Sequence, residues 1–121
     1  MRDHTKLRAF ELADALALCV YRNTVTFPRV EQFGLTSQMR RAAVSIASNI
    51  VEGSARASSA EYIRFLDIAY ASSRELQYQI SLAQRLEFLS RDQSAELTDL
   101  ANETGKVLNG LLRSLRTREE T

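Results

Sequence analysis

Most catalytic sites and most extracellular scaffolds draw on residues that this sequence barely has: one histidine, one cysteine, one proline, four glycines and no tryptophan. A lone Cys19 cannot close an internal disulfide, which excludes the disulfide-stapled class and fits a reducing cytoplasm. A single His4 cannot anchor a catalytic triad or a metal cluster. Di-metal centres in helix bundles need Glu-x-x-His pairs, and no histidine accompanies Glu52, Glu61 or Glu75. No strand-flanked glycine loop offers a phosphate cradle or a dinucleotide fingerprint. No apolar run approaches the roughly 20 residues of a membrane-spanning helix. The stretch Met1–Phe10 is polar and charged, without the apolar core of a signal peptide. Neither an enzyme nor a membrane or secreted protein is expected, and no cofactor or metal is implied.

Charge of one sign is lacking too. The net charge is +1, so there is no global pull toward nucleic acid or membrane. Yet 14 of the 16 basic residues are arginine, the side chain suited to bidentate contacts with phosphate and carboxylate and to stacking. A GC-rich genome produces the same bias. The 121 residues, 45% hydrophobic and 26% charged, have the size and composition of one globular domain, 1–121.

Helical periodicity fills that domain. Pro28, in the stretch Phe27–Leu35, separates a first helix over about residues 6–26 from a second over about 36–56, with Thr36 or Ser37 as its cap. Ser58-x-x-Glu61 and Ser90-x-x-Gln93 read as capping boxes opening a third helix, about 58–89, and a fourth, about 91–117. Nothing reads as a strand. Short loops between long helices imply an all-α, antiparallel up-and-down four-helix bundle.

The faces of these helices differ. The fourth divides into an apolar side (Leu97, Leu100, Ala101, Leu108, Leu112) and a polar side with an acidic start, Asp92, Glu96, Asp99 and Glu103. In the first, Cys19 lies at the edge of the stripe Ala9, Ala13, Leu16 and Val20, and reads as a small packed side chain. The third carries a central stripe through Tyr62, Leu66, Ala69, Leu76 and Ile80, and a second apolar set on its far side: Ile68, Tyr78, Leu82, Leu86 and Leu89. One bundle cannot bury both. The excess predicts self-association or a protein partner, and Leu82→Arg is expected to break the assembly while sparing the helices.

The segment Leu35–Gly53, LTSQMRRAAVSIASNIVEG, resembles the signature of a bacterial four-helix-bundle family first noticed in proteins encoded within 23S rRNA intervening sequences and sometimes called S23 ribosomal proteins. The likeness continues through Glu61–Leu66, Ala69 and Ser72–Leu76, with Phe27-Pro28 and Glu31 upstream, and covers about residues 5–115. It implies a homopentameric ring of four-helix bundles. It also implies a relation to the accessory protein of diversity-generating retroelements, a basic pentamer that binds nucleic acid and a reverse transcriptase. Two features depart from this pattern: the near-neutral charge, and Gln77 where the family often has Glu.

Within the matched residues, Asn49, Glu52 and Glu75 suggest either a ligand-facing polar cluster or a structural network with Arg40, Arg41 or Arg74 as counter-charges; shielded carboxylates require such pairing. Candidate nucleic-acid contacts are Arg56 and Arg64 around the turn between the second and third helices, and Arg113, Arg116 and Arg118 near the C-terminus. Repeated in an oligomer, such weak phosphate contacts multiply. The competing expectation is a scaffold ring that docks a protein and leaves RNA and DNA alone, favoured by the near-neutral charge and the acidic stripe.

Overall fold

The computed structural model describes residues 2–120, the last two by backbone alone. It is all-helical, with four long helices: α1 (Arg8–Thr24), α2 (Leu35–Ser54), α3 (Ser59–Arg85) and α4 (Arg91–Glu120). Short 3-10 turns at His4–Lys6 and Arg29–Glu31 precede α1 and α2. Among the described residues each long helix packs beside two neighbours, α1 beside α2 and α4, and α3 beside α2 and α4; α1 and α3, like α2 and α4, stand on the diagonals. The order is that of an up-and-down square, the four-helix bundle the periodicity predicts.

The core runs down the middle of the square through Leu16, Met39, Ile46, Ile50, Leu66, Leu76, Ile80, Leu97, Leu108 and Leu112, all fully buried. Each such side chain contributes about 1.5–3 kcal/mol through removal from water. Alanines at 13, 43, 69, 83 and 101 fill the gaps between them, and at Gly53 α2 lies close against α3. A Cβ there would stand 2.9 Å from Phe65 Cβ and 3.2 Å from Tyr62 Cδ1. Only glycine lets these two backbones come so near.

The caps explain where the helices begin and end. Ser90 and Gln93 form a complete capping box: Ser90 Oγ accepts from Gln93 N–H (3.1 Å) and Gln93 Oε1 accepts from Ser90 N–H (2.9 Å). Ser58 Oγ accepts from Glu61 N–H. Neither Thr36 nor Ser37 caps α2. The helix starts at Leu35, Glu31 Oε1 accepts from its N–H (3.0 Å), and Thr36 turns into the interior. Here the preceding 3-10 turn brings the carboxylate back over the helix end.

α3 ends at Arg85, four residues earlier than the sequence suggests. Glu87 takes φ 64°, and the N–H groups of Phe88 and Glu87 donate to the carbonyls of Ala83 and Gln84, both 2.9 Å. That Schellman arrangement reverses the chain and swings Phe88 against Phe27, ring centroids 5.5 Å apart. Leu89 follows into the core. It is thereby removed from the proposed oligomer interface, because the chain buries it within its own fold. Leu82 also packs partly on the core, so Leu82→Arg would disturb the fold as well as any assembly.

Candidate functional site

The six residues expected to form one polar network are dispersed around the bundle. Arg40 bridges α1 and α2: its Nε donates to Thr24 Oγ1 (2.9 Å) and its guanidinium lies 4.6 Å over the Tyr21 ring. Asn49 Nδ2 donates to the carbonyl (2.8 Å) and hydroxyl (3.1 Å) of Ser45. The Ser45 hydroxyl also lies 2.9 Å from the Ser72 hydroxyl across the α2–α3 seam. Glu75 accepts from Gln79 Nε2 (3.3 Å) on its own helix, while Gln79 Oε1 is buried without a partner. Arg41 and Glu52 are exposed, and none of the ion pairs among the described residues joins Glu52 or Glu75 to Arg40, Arg41 or Arg74. Of these hydrogen bonds, the neutral Ser45–Ser72 pair is the one that crosses between α2 and α3.

Arg74 lies on the other side of α3, facing α4. With Tyr70, Gln77, Asn102, Lys106 and Asn109 it lines a cleft of about 190 Å³ whose floor is Gly105. The lining holds two cations, three amides and a phenol, and no carboxylate. Arg113 stands two turns beyond Lys106 on α4, a spacing that keeps both on the same side of the helix. Arg116 follows, donating to both oxygens of Asp67. A basic seam thus runs between α3 and α4, and Glu103, one turn away on α4, is drawn off toward Arg8 (3.8 Å). Helical periodicity puts Lys106 on the polar side of the fourth helix but not among the candidate contacts, because a lone lysine gives no local pattern; only the α3–α4 pairing sets it beside Arg74.

The other candidate contacts fall at the same end of the bundle as the C-terminus of α4. Arg56 stacks over the Phe65 ring at 4.8 Å, and its carbonyl accepts from the Arg2 guanidinium (3.0 Å). Arg64 is exposed on α3. Arg113 and Arg118 flank a shallow dent on α4 where Gly110 lacks a side chain.

Of the proposed interface residues, Ile68, Tyr78 and Leu86 are 41%, 60% and 49% exposed. A second apolar surface is absent from the sequence-based expectation. Val30 and Phe33, in the connection between α1 and α2, are 86% and 89% exposed. Phe33 borders a cleft of about 620 Å³ lined by Tyr21, Thr36, Arg40, Arg41 and Val44. The available signal was the presence of valine and phenylalanine in a segment whose proline marks it as a helix break.

Cys19 is a buried free thiol. Burial, and then the Glu96 carboxylate that accepts from its thiol (3.3 Å), push its pKa up to about 11. Among the described residues no group of His, Cys, Asp and Glu has the makings of a metal site, and no helix is long and apolar enough to cross a membrane.

Three comparisons with known proteins bear on this arrangement. None of the curated proteins matches the chain. A crystal structure of a protein of unknown function from the S23 ribosomal protein family of Bacteroides thetaiotaomicron superposes with a TM-score of 0.78 at 25% identity, over 86% of this chain and 97% of that one. The sequence family described as 23S rRNA-intervening sequence protein matches over residues 5–110, a span that takes in the α2 signature, most of α4 and, of the basic seam, Arg74 and Lys106. With the fold, the α2 segment and the family match in agreement, the chain belongs to the 23S rRNA-intervening sequence protein family.

Proposed function

We propose that this chain is a non-enzymatic, homo-oligomeric nucleic-acid-binding protein, assembled as the pentameric ring that its family resemblance implies and acting in the cytoplasm. The observation that carries the nucleic-acid reading is the α3–α4 seam. Arg74 and Lys106 share a carboxylate-free cleft, Arg113 extends the line, and Asp67 is occupied by Arg116. Arginine forks and amide donors in one groove suit a phosphodiester backbone. A few phosphate contacts bind weakly, and several copies held in a ring convert them into avidity. Self-association is supported by the exposed apolar residues on α3 and in the α1–α2 connection, which a lone bundle leaves in water.

The test is fluorescence anisotropy of the purified chain with a short single-stranded RNA and a matching DNA duplex. Binding is expected at low salt and should weaken by about tenfold or more between about 50 and 200 mM salt. Lys106→Glu and Arg113→Glu should each reduce it. A flat salt response, or no binding at low salt, rejects the reading. The second reading then stands: a ring that docks a protein. The net charge of +1 and the acidic first half of α4 favour it.

A further inference from the structure

The self-association proposed above does not say which surface meets which, and the two exposed apolar faces differ in shape. One is concave, the cleft between α1 and α2, with Tyr21 and Val44 in its lining and Phe33 at its lip. The other is convex, the outer ridge of α3. Ile68, Glu75, Tyr78, Leu82 and Leu86 are spaced there by three, four or seven residues and so share one side of the helix. The cleft is walled by α1 and α2, whereas the ridge belongs to α3. Their charges also complement each other. The ionic side chains lining the cleft are Arg40 and Arg41. Arg40 is held by Thr24 and Tyr21, whereas none of the ion pairs among the described residues engages Arg41. On the ridge, Glu75 lies between Ile68 and Tyr78 and holds one long hydrogen bond from Gln79 (3.3 Å). Tyr78, with the Arg85 guanidinium 5.9 Å from its ring, is the exposed aromatic of the ridge, a residue type that interfaces favour as an anchor.

We infer that the α3 ridge of one copy seats in the α1–α2 cleft of the next, with Tyr78 packing beside Phe33 and Glu75 meeting Arg41. The inference rests on the self-association reading and specifies it. Each copy carries one ridge and one cleft. A reciprocal two-fold dimer, ridge in cleft both ways, would show as twice the mass of one chain and overturn the ring. The proposed contact is heterologous. It passes head to tail from copy to copy until a ring closes. Two-fold pairing of either face with itself would set Arg41 against Arg41, or Glu75 against Glu75, and would leave the other apolar face in water.

This pairing makes a mixing experiment decisive. Phe33→Asp spoils the cleft and Tyr78→Asp spoils the ridge; both side chains are well exposed, so circular dichroism should be unchanged. Each variant alone is expected to be monomeric by light scattering, because every contact needs one intact face of each kind. Mixed in equal amounts, they should form a one-to-one dimer that cannot grow, with the ridge of the Phe33 variant in the cleft of the Tyr78 variant. A mixture that stays monomeric, or a variant that keeps assembling alone, overturns the pairing while wild-type assembly survives. A wild-type chain that is itself monomeric overturns the self-association reading and the pairing with it. Independently, Arg41→Glu should loosen the assembly and the double variant with Glu75→Arg should restore it; failure of that rescue removes the proposed ion pair.

Discussion

One guanidinium nitrogen of Arg116 donates to both carboxylate oxygens of Asp67, at 2.6 and 2.5 Å, and so ties the last turns of α4 to the first half of α3. Both side chains are about half exposed, so the pair contributes less than about 1 kcal/mol to stability. Its larger effect is on the seam, where Asp67 neutralises a cation that a phosphate would otherwise meet. Asp67→Asn should therefore leave the fold nearly as stable and tighten RNA or DNA binding. It should also steepen the salt dependence by about one phosphate contact. Unchanged affinity and slope in a salt titration would show that Arg116 is not part of the binding surface.

Gly53 of α2 sits against Phe65 and Tyr62 of α3. Replacement by alanine offers up to about 1 kcal/mol of helix propensity, but the new methyl would meet Phe65 Cβ at 2.9 Å. Overpacking of this kind costs about 1–3 kcal/mol, so Gly53→Ala should lower stability in urea denaturation, and Gly53→Val should lower it further. An unchanged midpoint for alanine would mean that the helices separate at little cost.

Cys19 should behave as an inert thiol. A pKa raised from 9.0 to about 11 means that the folded state holds its proton more tightly than the unfolded chain. The associated stability is fully present below about pH 9 and is lost as the pH rises through about 11. At pH 8 that rise makes the thiolate fraction about a hundredfold smaller than in an ordinary cysteine. Alkylation by iodoacetamide at that pH should be far slower in the native protein than in urea. Equal rates would place the thiol in an ordinary aqueous setting.

The Ser90–Gln93 box makes a sharp local prediction. Ser90→Ala removes the acceptor for Gln93 N–H and should cost about 1 kcal/mol, visible as an earlier thermal midpoint with little change in helix content. Ser90→Asp should restore most of the loss, since aspartate caps equally well and favours the positive end of the helix dipole.

What the sequence made legible was whatever depends on local chemistry and helical period. The central stripes of α3 and α4, the caps at Ser58 and Ser90, the packed thiol of Cys19 and the helical α2 segment that carries the family signature are all found in the structure. What it hid depends on where helices stop and which sides meet. The end of α3 was obscured because Glu87, a residue that rarely adopts positive φ, makes the turn that glycine usually makes. That same turn is why Leu89, seemingly on an outer face, is buried. Arg74 joins Glu52 and Glu75 in the family-like segments as a possible counter-charge, whereas the bundle turns it toward Lys106 on α4. The exposure of Phe33 could not be read from a break in periodicity, because such a segment can fold inward, as its neighbour Phe27 does.

The most direct single test is the mass of the purified chain in solution, by light scattering over a range of concentrations. The apolar ridge of α3 and the Phe33 cleft predict a closed assembly, stable to dilution and discrete in size, and the family resemblance sets its mass near five times the 13.7 kDa of one chain. A species of 13.7 kDa that persists at high concentration would contradict it.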